Sequence, residues 1–267
     1  MPETTIKDVI AYFHSIAPFN LQEPYDNSGL IVGNPQSVVR GVMVSLDATE
    51  EVILEAAAKN CNLVISHHPI VFSGIKRLTG AHYVERAVIS AIKNDVALLA
   101  IHTNLDNVLE KGVNGMIASK LELQAISPLM PKENEEINST VGSGCIGKLK
   151  SPMPTMEFLK FLKKTMQTSV VKYTDLVRKD IHTVAVCGGS GSFLLEAAKS
   201  SGADIFITSD YKYHEYFEAN GEIIIADIGH YESEQFTIPL IHNLLTQKFS
   251  TFASHYTELS TNPVKYL

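Results

Sequence analysis

His230 and Glu234 stand four residues apart in the run Gly229-His230-Tyr231-Glu232-Ser233-Glu234. Four residues is about one helical turn, so on a helix the imidazole and the carboxylate share a face. Such a pair is half of a metal site, and two other places in the chain offer further donors. His67-His68-Pro69 closes one apolar strand pattern, and His102-Thr103-Asn104-Leu105-Asp106 closes another. His67, His68, Asp106, His230 and Glu234 together form a nitrogen and oxygen donor set suited to zinc, iron(II), manganese or nickel. Five side chains exceed what one tetrahedral catalytic zinc uses. They suit two ions about 3.5–4 Å apart, bridged by carboxylate and hydroxide, with Asp106 and Glu234 as the candidate bridges.

Each piece also has a plainer reading. A His-His pair can be an ordinary strand end, a His and Glu at helical spacing a solvated pair, and Asp106 the start of an Asx-turn. What favours chemistry is that all three pieces fall at strand-to-helix junctions, where open α/β sheets gather their ligands. Successive side chains on a strand point to opposite faces. His67 and His68 are therefore expected to diverge and serve separate ions, unless the chain bends. His102 stands at a strand end, suited to orienting a ligand by hydrogen bond. The remaining histidines, His14, His82, His182, His214, His242 and His255, have no partner at ligand spacing and read as structural. Gly188-Gly189-Ser190-Gly191-Ser192 lacks the lysine of a P-loop and the glycine spacing of a dinucleotide fingerprint. It reads as a tight strand–helix turn.

Parallel α/β elements must position these groups. Thr5 precedes a helical spacing of Ile6, Val9, Ile10, Phe13 and Ile16, and a turn-rich loop follows at 22–29. Strands are expected at 42–46, 63–66 and 96–101, with helices at 50–59, 84–93 and 113–121. Short apolar strands alternating with helices indicate two related α/β halves with mixed, largely parallel sheets. Near 124–140 the alternation stops. Ser127-Pro128, Pro131 and the polar run from Lys132 to Thr140 read as a connection. A glycine-interrupted strand at 141–149, a helix at 155–166 and further α/β alternation to Ile228, with a strand at 223–226, come next. One long last helix is expected from about Tyr231 through Leu245.

The first half echoes in the second. Val44-Ser45-Leu46, Leu54-Glu55-Ala56-Ala57 and Leu63-Val64-Ile65-Ser66 correspond to Val184-Ala185-Val186, Leu195-Glu196-Ala197-Ala198 and Ile205-Phe206-Ile207-Thr208. This suggests two related α/β halves. The expected division is a first domain of residues 1–125 with 229–267, carrying most of the metal ligands, and a second of residues 126–228. Where the first copy ends in His67-His68, the second ends in Ser209-Asp210.

Composition sets outer bounds. A chain of 267 residues, 45% apolar and 19% charged, has the makeup of a globular protein with room for two cores. Its net charge of −7 argues against nucleic-acid or anionic-membrane binding, which needs a basic face. Cys61, Cys145 and Cys187 are widely spaced and odd in number, as in a reducing compartment. No secretory signal is visible and no apolar run is long enough to cross a membrane, so a cytoplasmic protein is expected.

The chain resembles the NIF3-like family, also called DUF34 and often described as GTP cyclohydrolase 1 type 2 homologs. Tyr25-Asp26-Asn27-Ser28-Gly29-Leu30, Ser66-His67-His68-Pro69 and His102-Thr103-Asn104-Leu105-Asp106 carry the resemblance. So do Thr208-Ser209-Asp210-Tyr211-Lys212-Tyr213-His214 and Asp227-Ile228-Gly229-His230-Tyr231-Glu232-Ser233-Glu234. These blocks span almost the whole chain, and jointly they are specific. The resemblance implies two α/β domains, a dinuclear site on His67, His68, Asp106, His230 and Glu234, and a ring-shaped homohexamer. It departs from the family where Tyr25 stands for a frequent tryptophan, and the short 124–140 connection leaves no room for an inserted domain. The expected function is a metal-dependent hydrolase of a small-molecule substrate, cyclohydrolase-type or phosphoester. The rival is a metal-binding regulatory or metal-insertion protein without turnover.

Overall fold

The structure is a computed structural model that describes residues 3–132 and 140–267. The chain divides into two compact units, Met1–Leu105 with Thr237–Lys265, and Asp106–Phe236 with Tyr266–Leu267. Residues 106–125 and 229–236, expected in the first domain, thus count with the second unit. Asp106, His230 and Glu234 go with them.

The first unit opens with helix α1, Ile6–Ile16, which starts where Thr5 and Asp8 cap each other. The Thr5 hydroxyl accepts from the Asp8 amide at 3.3 Å and Asp8 Oδ2 accepts from the Thr5 amide at 2.8 Å, satisfying two otherwise unpaired donors. Strand β1, Gly29–Val32, follows the turn-rich loop. Then come β2 (Gly41–Ser45), α2 (Glu50–Ala58), β3 (Leu63–Ser66), α3 (Tyr83–Lys93), β4 (Ala97–Ala100) and the short α4 (Thr103–Asp106). Every residue of β2, β3 and β4 is buried. That accounts for their continuous apolar runs: a parallel strand covered on both faces has no polar side.

The second unit holds α5 (Val113–Lys120), β5 (Gln124–Pro131), β6 (Gly142–Pro154), α6 (Thr155–Thr165) and β7 (Lys172–Tyr173). It continues with β8 (Asp180–Ser190), α7 (Leu195–Ser200), β9 (Ile205–Ser209), β10 (Ile224–Asp227) and α8 (His230–Glu234). Its sheet runs β5-β6-β8-β9-β10-β7. The pairs β8–β9 and β9–β10 are parallel and the others antiparallel. The chain then returns to the first unit with α9 (Thr237–Lys248) and β11 (Ala253–Tyr256), completing a sheet ordered β1-β4-β3-β2-β11. In that sheet only β1 is antiparallel to its neighbour. The architecture is two mixed α/β sheets, as expected.

Two expectations need correction. Residues 124–131 are a strand, not a connection. β5 lies at a sheet edge and pairs with β6 through Pro128↔Cys145 and Pro131↔Gly142. An edge strand tolerates prolines because one side of its backbone needs no partner. The rest of the expected connection, residues 133–139, lies outside the described residues. The last long helix is also two helices, α8 and α9. A single helix through Leu245 would bury Pro239 in its interior, where the ring meets the carbonyl one turn earlier and no N–H answers it. With α9 starting at Thr237, Pro239 falls in a first turn instead.

Candidate metal-binding clusters

In the first unit β3 delivers His67 and His68. The amides of both donate toward the β2 side, His67 to Ser45 O at 3.2 Å and His68 to Leu46 O at 2.9 Å. An extended strand directs successive amides to opposite sides, so the chain has bent right after Ser66. The Ser66 hydroxyl holds the bend by donating to the His68 carbonyl at 2.7 Å. The bend brings the two ring centroids to 5.1 Å apart. His102, from the end of β4, stands 5.2 Å from His67 and 5.3 Å from His68, so three rings form a near-equilateral triangle. One ring nitrogen from each lies within 4.8 Å of the others, a grouping that can hold a metal ion.

The Nδ1 atom of each ring is occupied. His67 Nδ1 donates to Ile101 O at 2.9 Å, His68 Nδ1 to Asp47 Oδ1 at 2.8 Å, and His102 Nδ1 to Asp26 Oδ1 at 2.7 Å. All three acceptors are oxygens, which assigns the proton to Nδ1 and the lone pair to Nε2 in the neutral rings. Acceptors behind the imidazole are the usual outer partners of metal-bound histidines. Asp47 is itself steadied by the Thr261 hydroxyl at 2.5 Å. Asp26 is half-buried, and its pKa is held well below the ordinary carboxylate value. Burial opposes this shift, but the hydrogen bond and charge of His102 and the hydroxyl of Thr103 outweigh it.

The second unit gathers Asp106, His230 and Glu234. His230 and Glu234 are one turn apart on α8, with Nε2 to Oε2 at 3.1 Å, as their spacing predicts. A carboxylate oxygen of Asp106 lies within 4.8 Å of one of Glu234. His230 Nδ1 donates to Asp210 Oδ2 at 2.6 Å, and the Ser190 hydroxyl donates to the same oxygen at 2.6 Å. Burial works against the His230 imidazolium, yet the Glu234 charge and the Asp210 hydrogen bond outweigh it and raise its pKa to about 11. Two anions crowd this ring from opposite nitrogens, and a bound cation can take the proton's place on Nε2.

The glycine-rich run turns out to be structural support for Glu234. A Cβ at Gly189 would collide with Glu234 Oε1, and its φ of +66° disfavours any side chain. The amides of Gly188 and Gly189 donate to Asn114 Oδ1 and Ser233 Oγ at 3.0 and 2.9 Å, so they are engaged within the protein. Neither nearby cysteine supplies a thiolate: burial pushes the Cys145 thiol up to about 12 and holds Cys187 well above its ordinary value, helped there by Asp106 and Glu234. All three cysteines are free and buried.

Each unit thus brings its own expected ligands together, and the residue chemistry fits a divalent metal. Sequence reasoning undervalues three groups. His102 joins His67 and His68, and its signal is the strand end it shares in kind with them. Asp47 and Asp210 are orienting carboxylates, and nothing in their spacing marks them, because each reaches its histidine through sheet neighbours.

The chain matches the Duf34/NIF3 (NGG1p interacting factor 3) family over residues 4–263. It is 34% identical over 232 residues to a GTP cyclohydrolase 1 type 2 homolog of Clostridium acetobutylicum, covering 86% of this chain and 85% of that one. It is 31% identical over 216 residues to NIF3-like protein 1 of Drosophila melanogaster, covering 79% and 70%. Among solved structures, a Staphylococcus aureus hypothetical protein aligns over 100% of both chains with a TM-score of 0.91 at 27% identity. A Bacillus cereus protein related to NIF3 reaches 0.93 at 22% identity over 100% of both, a likeness of fold.

Proposed function

This chain belongs to the Duf34/NIF3 family, and from that premise we propose that it is a divalent-metal-dependent hydrolase with a dinuclear centre. His67, His68, Asp106, His230 and Glu234 are its proposed ligands. The observation that supports this reading most is shared by all three imidazoles of the set. Each has Nδ1 fixed on an oxygen, Ile101 O, Asp47 or Asp210, so each has Nε2 as its ligand atom. Groups pre-oriented in this way lose little freedom on binding an ion.

Two bound divalent ions would lower the pKa of water and supply a hydroxide nucleophile at neutral pH. The residues have distinct roles around that chemistry. The imidazoles bind as neutral donors, while the Asp106 and Glu234 carboxylates offset the ions' charge and can each offer two oxygens. Gly189 keeps the space that Glu234 needs. The substrate class is a cyclohydrolase-type ring or a phosphoester, small enough for the inner cavity of a homohexamer. The curated relative's description as a GTP cyclohydrolase 1 type 2 homolog supports the first of these classes. Among the described residues no helix is long and apolar enough to cross a membrane, in keeping with a cytoplasmic enzyme.

The rival reading is a regulatory or metal-insertion protein without turnover. The buried thiols weigh against it, since carriers exchange metal most readily through thiolates. The test is a screen of metal-replete and metal-free protein on nucleotides, other phosphoesters and cyclic amides. Turnover that needs metal and disappears in Asp106→Asn is expected. A fully loaded protein that turns over none of these classes would favour the rival. Light scattering checks the assembly, with a mass about six times the 29.3 kDa chain expected.

A further inference from the structure

We infer that the second unit carries a binding pocket for a small organic cation, an amine or quaternary ammonium on an apolar body, where the turn Tyr213–Ala219 meets the segment 172–177. The pocket shares no residue with the metal clusters and stands or falls apart from the hydrolase reading.

The cavity measures about 590 Å³, within the range of small-molecule sites. Tyr213, Tyr216 and Phe217 line it from the turn, Tyr173 and Asp175 from β7 and the residues after it, and Ile223 from just before β10. The turn is a 3-10 helix that starts where the Lys212 amide donates to Glu215 Oε2 at 2.9 Å. It ends at Asn220, whose left-handed φ of 49° asparagine adopts more readily than most residues. Tyr216 packs on the buried core of this unit, so the wall it forms is firmly backed.

The rings select the shape of the ligand. Tyr213 is 74% exposed, Phe217 68% and Tyr173 46%, although large aromatic side chains gain most by burial. Three open rings on one concavity mark a binding surface. Tyr213 and Phe217 stand 5.7 Å apart at 76° to one another. Rings so steeply inclined cannot sandwich a planar base between them, but they can surround a compact group.

Charge selects its sign. Lys172 Nζ lies 2.7 Å from Asp227 Oδ2, and the Tyr216 hydroxyl donates to the same oxygen at 3.0 Å. Both groups are therefore spent, and Tyr216 offers the cavity its ring alone. The cations next in the chain are also paired, Lys212 with Glu215 at 4.0 Å and Arg178 with Asp204 at 3.5 Å. Among the described residues Asp175 has neither an ion pair nor a side-chain hydrogen bond. The lining thus presents one unspent carboxylate and several ring faces, which are themselves electronegative. Both attract a cation, as in aromatic cages for ammonium groups, and both repel a phosphate.

The test is ligand-observed NMR on the full, metal-loaded chain with three probes that share a ring and differ in charge: benzyltrimethylammonium, benzyl alcohol and benzoate. The cation is expected to bind at least about fivefold more tightly than the alcohol, with benzoate the weakest. Asp175→Asn should weaken the cation about 2- to 5-fold and leave the alcohol unchanged. Tyr213→Leu and Phe217→Leu, both on exposed side chains that the fold does not need, should each weaken the cation about 2- to 10-fold at constant metal content. Equal affinity for cation and alcohol, tighter binding of benzoate, or cation binding that ignores all three substitutions would overturn the inference. So would a cation that fails to saturate below about 10 mM, the result expected if a second copy of the chain covers the rings.

Discussion

The strand–helix–strand units β2-α2-β3 and β8-α7-β9 share a frame and differ at its end. Val44 pairs with Ile65 in the first and Val186 with Ile207 in the second, and each residue of the second pair lies 142 positions after its counterpart. Burial follows the same offset through the helices. Val52, Ile53 and Ala56 are buried as Leu194, Leu195 and Ala198 are, while Leu54 and Glu196 face out. The Leu-Glu-Ala-Ala echo in the sequence sits 141 positions apart and is therefore one residue out of step with the fold. Past the strand ends the chemistry separates. The first copy presents His67 and His68, and the second presents Ser209 and Asp210 at the same positions. Asp210 accepts a hydrogen bond from His230 Nδ1. The same frame thus carries proposed ligands in one unit and the hydrogen-bond partner of a proposed ligand in the other.

The largest effects test the frame. Ile53→Ala and Leu195→Ala each empty a fully packed place and should cost about 2–5 kcal/mol by chemical denaturation. Leu54→Ala, on a half-exposed side chain, should stay within about 1 kcal/mol. If Leu195→Ala behaved like Leu54→Ala, the true offset would be 141 and the comparison would break.

Smaller effects test the divergence at the strand ends. Asp210→Asn leaves His230 in place but weakens its anchor, and metal affinity measured by titration should fall about 10–100-fold. Asp47→Asn should do the same through His68. Gly189→Ala places a methyl against Glu234 at a positive φ, lowering both metal affinity and stability, the latter by about 1 kcal/mol or more. Ser209→Ala, at the position of His67, should change metal content by nothing measurable. A large loss there would mean that the second copy still carries a ligand.

Much of the molecule is legible in its residues. The buried parallel strands announce themselves as apolar runs, and Leu63–Ser66 falls where its pattern places it. The strands that escape, β1, β7 and β11, are sheet edges, where half-exposed residues carry no clear period. β5 is hidden by prolines that only an edge accepts. Of the proposed ligands, His230 and Glu234 are readable because a helix converts spacing into proximity. The convergence of His67 and His68 is not, because it depends on a backbone bend that a strand pattern conceals. Asp26, Asp47 and Asp210 reach their histidines across 76, 21 and 20 positions, distances over which sequence spacing says nothing.

The central claim is that these anchored imidazoles exist to hold metal. Its most direct test is elemental analysis of protein purified without chelator and resupplied with zinc, compared with His67→Ala, His68→Ala and Ser209→Ala prepared in parallel. About two metals per chain in the wild type, an undiminished count in Ser209→Ala, and a loss of at least one in each histidine variant are predicted. A wild-type value near zero after resupply, or histidine variants that keep the full count, would contradict it.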